Sequence, residues 1–442
     1  MGTKNKLVYL IGFIAVLLCF LNFLSVFTPE VGFDALWYHL TLPKLWLMSG
    51  RYHFSGGILY YSVMPRLTEW VFTPLIYFFD TTGPKMFQFL SGIITSLFLY
   101  KSARALHLNK QISILSSFIY YLSYLVSWQS SSGYIDLFRT CLEVIALYYL
   151  IQKKKIIGGI FLGLALGTKW LALFSLVIFS VIYGWQIAMI GAVFLLPWMY
   201  AAFTHTGNPF YPLFSHILQN GFQTSFGMVA NLVSAPFRIT FPFDDFISPI
   251  SGLLFSLAAV SFLLTKGSRR KVACVGLLGG LSHLILDPPS ARFFLPYYPA
   301  VVLGSLFLVE QLVPSLQKIF IWLVFISGVI VLCLKIITFK KNVPFLLGNQ
   351  SAMQYLESRS DKLPETFLDT DSFVTNNLKG KKIIVDKLHN LYYFPYNFDH
   401  SSWVSSTKDY NYLVTLKQDP NDIKGKLINT NSLGIQVFEL SQ

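Results

Sequence analysis

Leu7-Val8-Tyr9-Leu10-Ile11-Gly12-Phe13-Ile14-Ala15-Val16-Leu17-Leu18-Cys19-Phe20-Leu21-Asn22-Phe23-Leu24-Ser25-Val26-Phe27 is followed, after Thr28-Pro29-Glu30-Val31-Gly32, by Phe33-Asp34-Ala35-Leu36-Trp37-Tyr38-His39-Leu40-Thr41-Leu42-Pro43-Lys44-Leu45-Trp46. At 1.5 Å per residue, an apolar run of about 20 residues crosses a hydrocarbon core of roughly 30 Å. Asp34 is therefore expected just beyond a membrane boundary, beside an aromatic helix. The run is too long for a cleaved signal and lacks a small-residue cleavage pattern near its end, so it is expected to remain as a helix.

Working outward, the same character holds for most of the chain. Of 442 residues, 54% are hydrophobic and 12% charged, and the mean hydropathy is +0.55. That is too few charges to solvate a globular surface of this size, so the fold class is an α-helical polytopic membrane protein in a lipid bilayer. Cys19, Cys141, Cys274 and Cys333 all lie in apolar segments, which argues against disulfides and thiolate metal sites. A net charge of +13 raises nucleic acid as a partner, but the basic residues sort by membrane side instead. No nucleic acid is expected.

Lys4 and Lys6, Lys101, Arg104 and Lys110, Lys153 to Lys155, Lys266 with Arg269 to Lys271, and Lys318 lie in short connections between apolar runs. The positive-inside rule places these connections in the cytoplasm. Spans at 7–27, 83–101, 112–128, 137–152, 156–168, 169–185, 187–204, 247–265, 272–286, 294–312 and 319–339 then give about eleven crossings of the cytoplasmic membrane. The amino terminus is inside and the carboxyl terminus outside. The apolar segment 67–79 is short and is read as juxtamembrane or re-entrant, and 156–185 as a hairpin broken at Gly167-Thr168-Lys169. Residues 1–341 form the multispanning part. From 342 to 442 the sequence turns polar, with a helix near 350–359 and strands at 382–386, 410–416 and 435–440, which implies a small outer α/β domain.

The outer side of this topology collects Asp34, His39, Lys44, Arg66, Glu69, Asp136, Lys169, Tyr211, Asp244, Asp245, Asp287 and Arg292. Ionisable groups at a membrane boundary are costly and therefore candidate functional groups. No Walker loop, CxxC pair or HExxH motif occurs.

Asp34-x-x-Trp37-Tyr38-His39, Pro65-Arg66-Leu67-Thr68-Glu69, Tyr134-x-Asp136, Gly163-Leu164-Ala165-x-Gly167-Thr168-Lys169, Gly207-Asn208-Pro209-Phe210-Tyr211-Pro212 and Arg292-Phe293-x-Leu295-Pro296 occur in that order. The ordered set resembles bacterial GT-C glycosyltransferases, the branch with protein-mannosyltransferase-like enzymes and the aminoarabinose transferase of lipid A. It spans most of residues 7–340. The resemblance implies a GT-C-like fold and a polyprenyl-phosphate-linked sugar donor. It also implies a catalytic aspartate in the first outer loop, matched by Asp34, with Ala35 where many relatives carry a second acid.

Inverting transfer from a lipid phosphate needs a base for the acceptor and cations for the departing phosphate. Asp34 is the expected base, with capping or pairing to Lys44 as the structural alternative. Arg292 and Lys169 are the expected phosphate ligands, and Asp136 and Glu69 would orient the acceptor or hold a divalent cation; no cofactor is otherwise implied. His39, five residues from Asp34, falls on a different azimuth of an α-helix and is expected to be an interfacial histidine. Tyr38, with Trp37, Trp46 and Tyr52, reads as an aromatic belt. His39, Tyr38 and Tyr211 are secondary candidates for substrate contact. The acceptor would be an envelope lipid, glycan or protein. A polysaccharide polymerase or ligase is the nearest alternative, followed by a transporter or a non-catalytic scaffold.

Overall fold

A computed structural model describes residues 3–215, 229–230, 233–234, 237–241, 246–283, 290–406, 409–417, 423 and 425–440. Asp244, Asp245, Asp287 and the end of the expected 272–286 span lie outside them. The helices used below are α1 (Thr3–Val26), α2 (Thr41–Ser49), α3 (Leu67–Phe79), α4 (Thr82–Ala105), α5 (Lys110–Tyr121), α6 (Tyr124–Gln129), α7 (Asp136–Ile151), α8 (Lys155–Thr168), α9 (Ala172–Tyr183), α10 (Gln186–Val193), α11 (Leu196–Thr206), α12 (Ser251–Leu264), α13 (Gly267–His283), α14 (Ala291–Phe294), α15 (Tyr298–Val309) and α16 (Pro314–Lys340).

Each of the eleven apolar segments contains helix. Among the described residues, Lys6–Val26, Ala291–Val309 and Pro314–Lys340 are long and apolar enough to cross a membrane, and α10 with α11, bent by 51°, makes a fourth if the pair is one span. Six other helices have 12 to 17 residues, and α4 has 24. The count of about eleven crossings therefore rests on the sequence. The 67–79 segment is helix α3, with 13 residues and Pro74 inside it, about 20 Å long and too short to cross alone.

Local chemistry sets the breaks. Pro29 follows α1, the Asn109 side chain accepts Ile112 N–H at the start of α5 (3.0 Å), and Ser123 accepts Val126 N–H to start α6 (3.4 Å); these caps satisfy backbone donors that the helix cannot. Helix α8 carries Gly159, Gly163 and Gly167, spaced by four. A Cβ at these positions would meet Ile190 at 2.9 Å, Phe194 at 2.5 Å and the Trp198 indole at 3.3 Å. One small-residue face thus lets α8 lie against α10 and α11, as membrane helices do when no hydrophobic drive separates protein from lipid. That packing fixes where α8 ends, at Thr168, and where the turn through Lys169 emerges.

The carboxyl-terminal part holds a five-stranded sheet of order β2-β1-β3-β5-β4, with strands β1 (Ile383–Asp386), β2 (Asp399–His400), β3 (Tyr412–Leu416), β4 (Gly425–Thr430) and β5 (Ile435–Leu440). β1 pairs in parallel with β2 and β3, and β5 is antiparallel to β3 and β4. Val385, Val414 and Val437 stand side by side and are buried. This part rests on α3 and the chain between α1 and α2. Ala35, Leu36, Leu40, Phe72 and Ile76 share one apolar cluster with Tyr355, Leu356, Leu363, Leu368 and Tyr392.

Candidate functional site

The chain between α1 and α2 is held by a residue that the sequence reading passed over. Glu30 is buried, and its carboxylate accepts N–H groups from Val31 (2.9 Å), Gly32 (2.6 Å) and Gly133 (2.5 Å). It ties the Asp34 loop to the loop before α7. Gly32 is needed there, since a Cβ would stand 2.5 Å from the Tyr134 ring. Asp34 N–H then donates to the Tyr134 hydroxyl at 3.3 Å.

Ala35–His39 form a π-helical turn, not an α-helical one, closed by Leu40 N–H to Ala35 O at 2.9 Å. Bonding from i to i+5 widens the turn, so residues five apart come to the same side. Asp34 and His39 consequently face one cavity, which corrects the azimuth argument made for His39. The same turn buries Tyr38. Tyr38 and the buried Trp46 are therefore not members of an interfacial belt.

The cavity has a volume of about 400 Å³, and its walls include Asp34, Trp37, Tyr38, His39, Tyr61, Arg66, Glu69, Lys169, Ser290 and Arg292. Two carboxylate–cation pairs stand at it. Arg292 Nη1 lies 2.7 Å from Asp34 Oδ2, with the guanidinium 4.9 Å from the centre of the Tyr134 ring. Ser290 caps α14 and accepts Arg292 N–H and Nε at 3.3 and 3.4 Å, which aims the side chain. Lys169 Nζ lies 3.0 Å from Asp136 Oδ1, and Gln129 Nε2 donates to Asp136 Oδ2 at 3.2 Å. Asp136 opens α7, where the helix dipole favours an anion. It stands behind Lys169 and does not line the cavity.

Beside these pairs is a less neutralised group. His39 Nδ1 lies 2.6 Å from Glu69 Oε1, leaving buried His39 Nε2 and Glu69 Oε2 without partners. Arg66 is 1% exposed, and its Nε and Nη2 also lack partners. Desolvation lowers the Arg66 pKa, opposed by the field of Glu69. A buried guanidinium with open donors is a strong receptor for an anion. The sequence reading placed Arg66 on the outer side but gave it no role.

Aromatic rings complete the wall. Tyr38 stacks on Tyr61 with centroids 4.4 Å apart, and Trp37 meets Tyr61 edge-on at 5.2 Å. Burial, and then the nearby Asp34 carboxylate, raise the Tyr38 pKa, so its hydroxyl stays neutral. Tyr61 is raised chiefly by burial as well. Such a wall can stack on a sugar ring.

Tyr211 and Lys44 stand apart from the cavity lining. Tyr211 is absent from the lining, although Pro212 and Leu213 belong to it. Tyr211 O instead accepts Trp170 Nε1–H at 3.1 Å, and the Asn208 turn is held by its side chain, which accepts Phe210 N–H at 2.9 Å. Lys44 does not pair with Asp34, because its Nζ donates to Tyr392 O and Phe394 O at 2.6 and 2.9 Å. Among the described residues no three His, Cys, Asp or Glu side chains gather as a metal site; Asp136 and Glu69 contact Lys169 and His39.

A helical bundle, a cavity beneath the chain between α1 and α3 and an α/β part resting on that chain and on α3 make up the fold. No family model matches the chain, and no curated protein matches it significantly. Solved structures do. ArnT from Cupriavidus metallidurans in the apo state superposes with a TM-score of 0.65 at 12% identity, covering 99% of this chain and 98% of that one. The same protein bound to undecaprenyl phosphate gives 0.64 at 12% identity over the same shares. The Archaeoglobus fulgidus oligosaccharyltransferase in complex with Zn and sulfate gives 0.50 at 11% identity, covering 98% of this chain and 73% of that one. At these identities the likeness is one of fold.

Proposed function

We propose that this protein is a glycosyltransferase of the cytoplasmic membrane that moves a sugar from a polyprenyl-phosphate donor to an envelope acceptor at the outer face. One observation carries the reading: a cavity of sugar-phosphate size in which an aspartate, two paired cations and one unpaired cation converge. The fold shared with ArnT, solved with undecaprenyl phosphate bound, supports the choice of lipid.

In the reaction the acceptor oxygen attacks the anomeric carbon while Asp34 takes its proton. The bond from that carbon to the phosphate oxygen breaks, with both electrons leaving on the polyprenyl phosphate. Arg292, Lys169 and Arg66 stabilise that charge. Without donor, Asp34 and Arg292 neutralise one another. An arriving phosphate competes for the guanidinium, which is suited to bidentate oxyanion binding, and frees the carboxylate for the acceptor. No step runs through a metal, and chelation followed by Mg²⁺ or Mn²⁺ add-back measures whether Glu69 and Asp136 have the second role expected of them.

The test is Asp34→Asn in the full chain. Transfer falls by about 10²–10⁴-fold, the usual worth of general-base assistance, while undecaprenyl phosphate binds more tightly because its competitor for Arg292 is gone. Arg292→Ala weakens binding. Near-normal transfer by a folded Asp34→Asn protein removes Asp34 as the base. One observation then favours Glu69, whose Oε2 is open and whose partner His39 holds it in place; Glu69→Gln tests that reading in turn. Envelope lipid and glycan mass spectrometry of a deletion strain identifies the sugar and separates a single transfer from polysaccharide polymerisation or ligation.

A further inference from the structure

Below the cavity lies a charged group to which the mechanism assigns no role. Arg139 and Glu143 sit one and two turns along α7 from Asp136, in the middle of an apolar helix, and their side chains are each 1% exposed. Arg139 Nε lies 2.8 Å from Glu143 Oε1. Arg139 Nη2 donates to Leu171 O at 3.1 Å and to Ser175 Oγ at 3.3 Å. Ser175 Oγ donates to Glu143 Oε2 at 2.6 Å and lies 2.9 Å from the Tyr297 hydroxyl oxygen.

An ion pair inside a membrane bundle is expensive, and replacing such a pair with apolar residues is often neutral or stabilising. Stability alone therefore gives no reason for it. Its geometry does. The three segments it joins each carry a cavity group or its partner: α7 begins at Asp136, which holds Lys169, the turn from Thr168 to Leu171 carries Lys169 itself, and the chain from Arg292 to Tyr297 carries Arg292. Arg139 grips the Lys169 turn through Leu171 O. Ser175 and Tyr297 carry the same network to the Arg292 segment.

Resting on the donor-phosphate reading above, we propose that Arg139, Glu143 and Ser175 are positioning residues that set the spacing of Lys169 and Arg292 for the donor phosphate. The planar guanidinium suits this task because Nε and Nη2 bind in two fixed directions, toward Glu143 and toward the turn. A lysine offers one ammonium and cannot hold both.

The experiment measures undecaprenyl phosphate binding to the purified full chain in nanodiscs. Arg139→Met, Glu143→Gln and Ser175→Ala are combined with Lys169→Ala in double-mutant cycles. Ser175→Ala is the mildest change and keeps the test valid if the charged variants do not fold. Each single variant is expected to weaken binding about tenfold, since misplacement of a group by an ångström costs up to about a hundredfold. Arg139→Lys should not rescue. In the Lys169→Ala background the loss from the second change should shrink to the part that acts through Arg292, because one of the two positioned groups is gone. Equal losses in both backgrounds, or unchanged binding by a well-folded Ser175→Ala protein, overturn the proposal. If Lys169→Ala and Arg292→Ala themselves leave binding unchanged, the donor-phosphate reading fails and this inference falls with it.

Discussion

Arg66 has a buried guanidinium with two open donors and no carboxylate within ion-pair distance among the described residues. Such a group destabilises the empty protein, because the field of Glu69 returns only part of its lost hydration. Function is the remaining reason for it. Arg66→Met, similar in length and apolar, should therefore stabilise the protein, on the order of 1–4 kcal/mol if buried ion-pair replacements are a guide, and scanning fluorimetry would register a higher melting temperature. The same variant should bind undecaprenyl phosphate about ten- to a hundredfold more weakly, the worth of a charged hydrogen bond. A lower melting temperature with unchanged binding would mean that Arg66 serves the fold alone. At this scale the sequence was partly legible. Asp34, Arg292, Lys169 and Glu69 do line one cavity, because a boundary charge is expensive wherever it stands. Which carboxylate meets which cation was not legible, since pairing across 258 residues depends on packing that no local pattern encodes.

The elements were legible where the signal is hydrophobic length and lost where it is a departure from regular geometry. Apolar runs and the break at Gly167-Thr168-Lys169 mark the main helices, and β-branched and aromatic runs mark three strands. Two strands fall outside those runs: β2, only Asp399–His400, and β4, with the weakly patterned Gly-Lys-Leu-Ile-Asn-Thr at 425–430. The π-helical turn was the costlier miss. A 3.6-residue period separated Asp34 from His39, whereas the wider turn joins them, and such turns recur at functional sites. The turn depends on what precedes it, which yields a prediction. At Gly32 an added methyl would stand 2.5 Å from the Tyr134 ring and 2.9 Å from Glu30 Oε1. Gly32→Ala must therefore move the loop that carries Asp34. Transfer should fall about tenfold or more, as displacement of a reacting group does, with the protein still inserted in the membrane and still binding undecaprenyl phosphate through Arg66 and Lys169. Transfer assays and lipid binding on one preparation check this, and full activity would mean that the loop has slack.

At the scale of the molecule, charge separates the bundle into two ends. Arg269 donates to Leu106 O at 3.1 Å and stands 3.4 Å from Glu310 Oε2, and Asn109 N–H donates to Glu310 Oε1 at 2.8 Å. Lys155 Nζ lies 3.3 Å from Gln186. The basic connections after α4 and α12 therefore touch one another and that after α7 touches the start of α10, while the cavity lies among the loops at the opposite helix ends. By the positive-inside rule we propose that the cavity and the residues after 342 face outside the cell. A lipid-linked donor, used after it has crossed the membrane, would be met there. The prediction uses single cysteines in a full-length protein whose four native cysteines are replaced by serine or alanine. With a membrane-impermeant maleimide on intact cells, Lys154→Cys and Arg270→Cys should stay unlabelled until the cells are opened. Asn349→Cys, in the exposed turn after α16, should label at once. Labelling of position 154 from outside would invert the bundle. Protection of position 349 with 154 also protected would require an odd change in the number of crossings between them, in the short α8–α9 hairpin or the bent α10–α11 pair, which lie between the two positions.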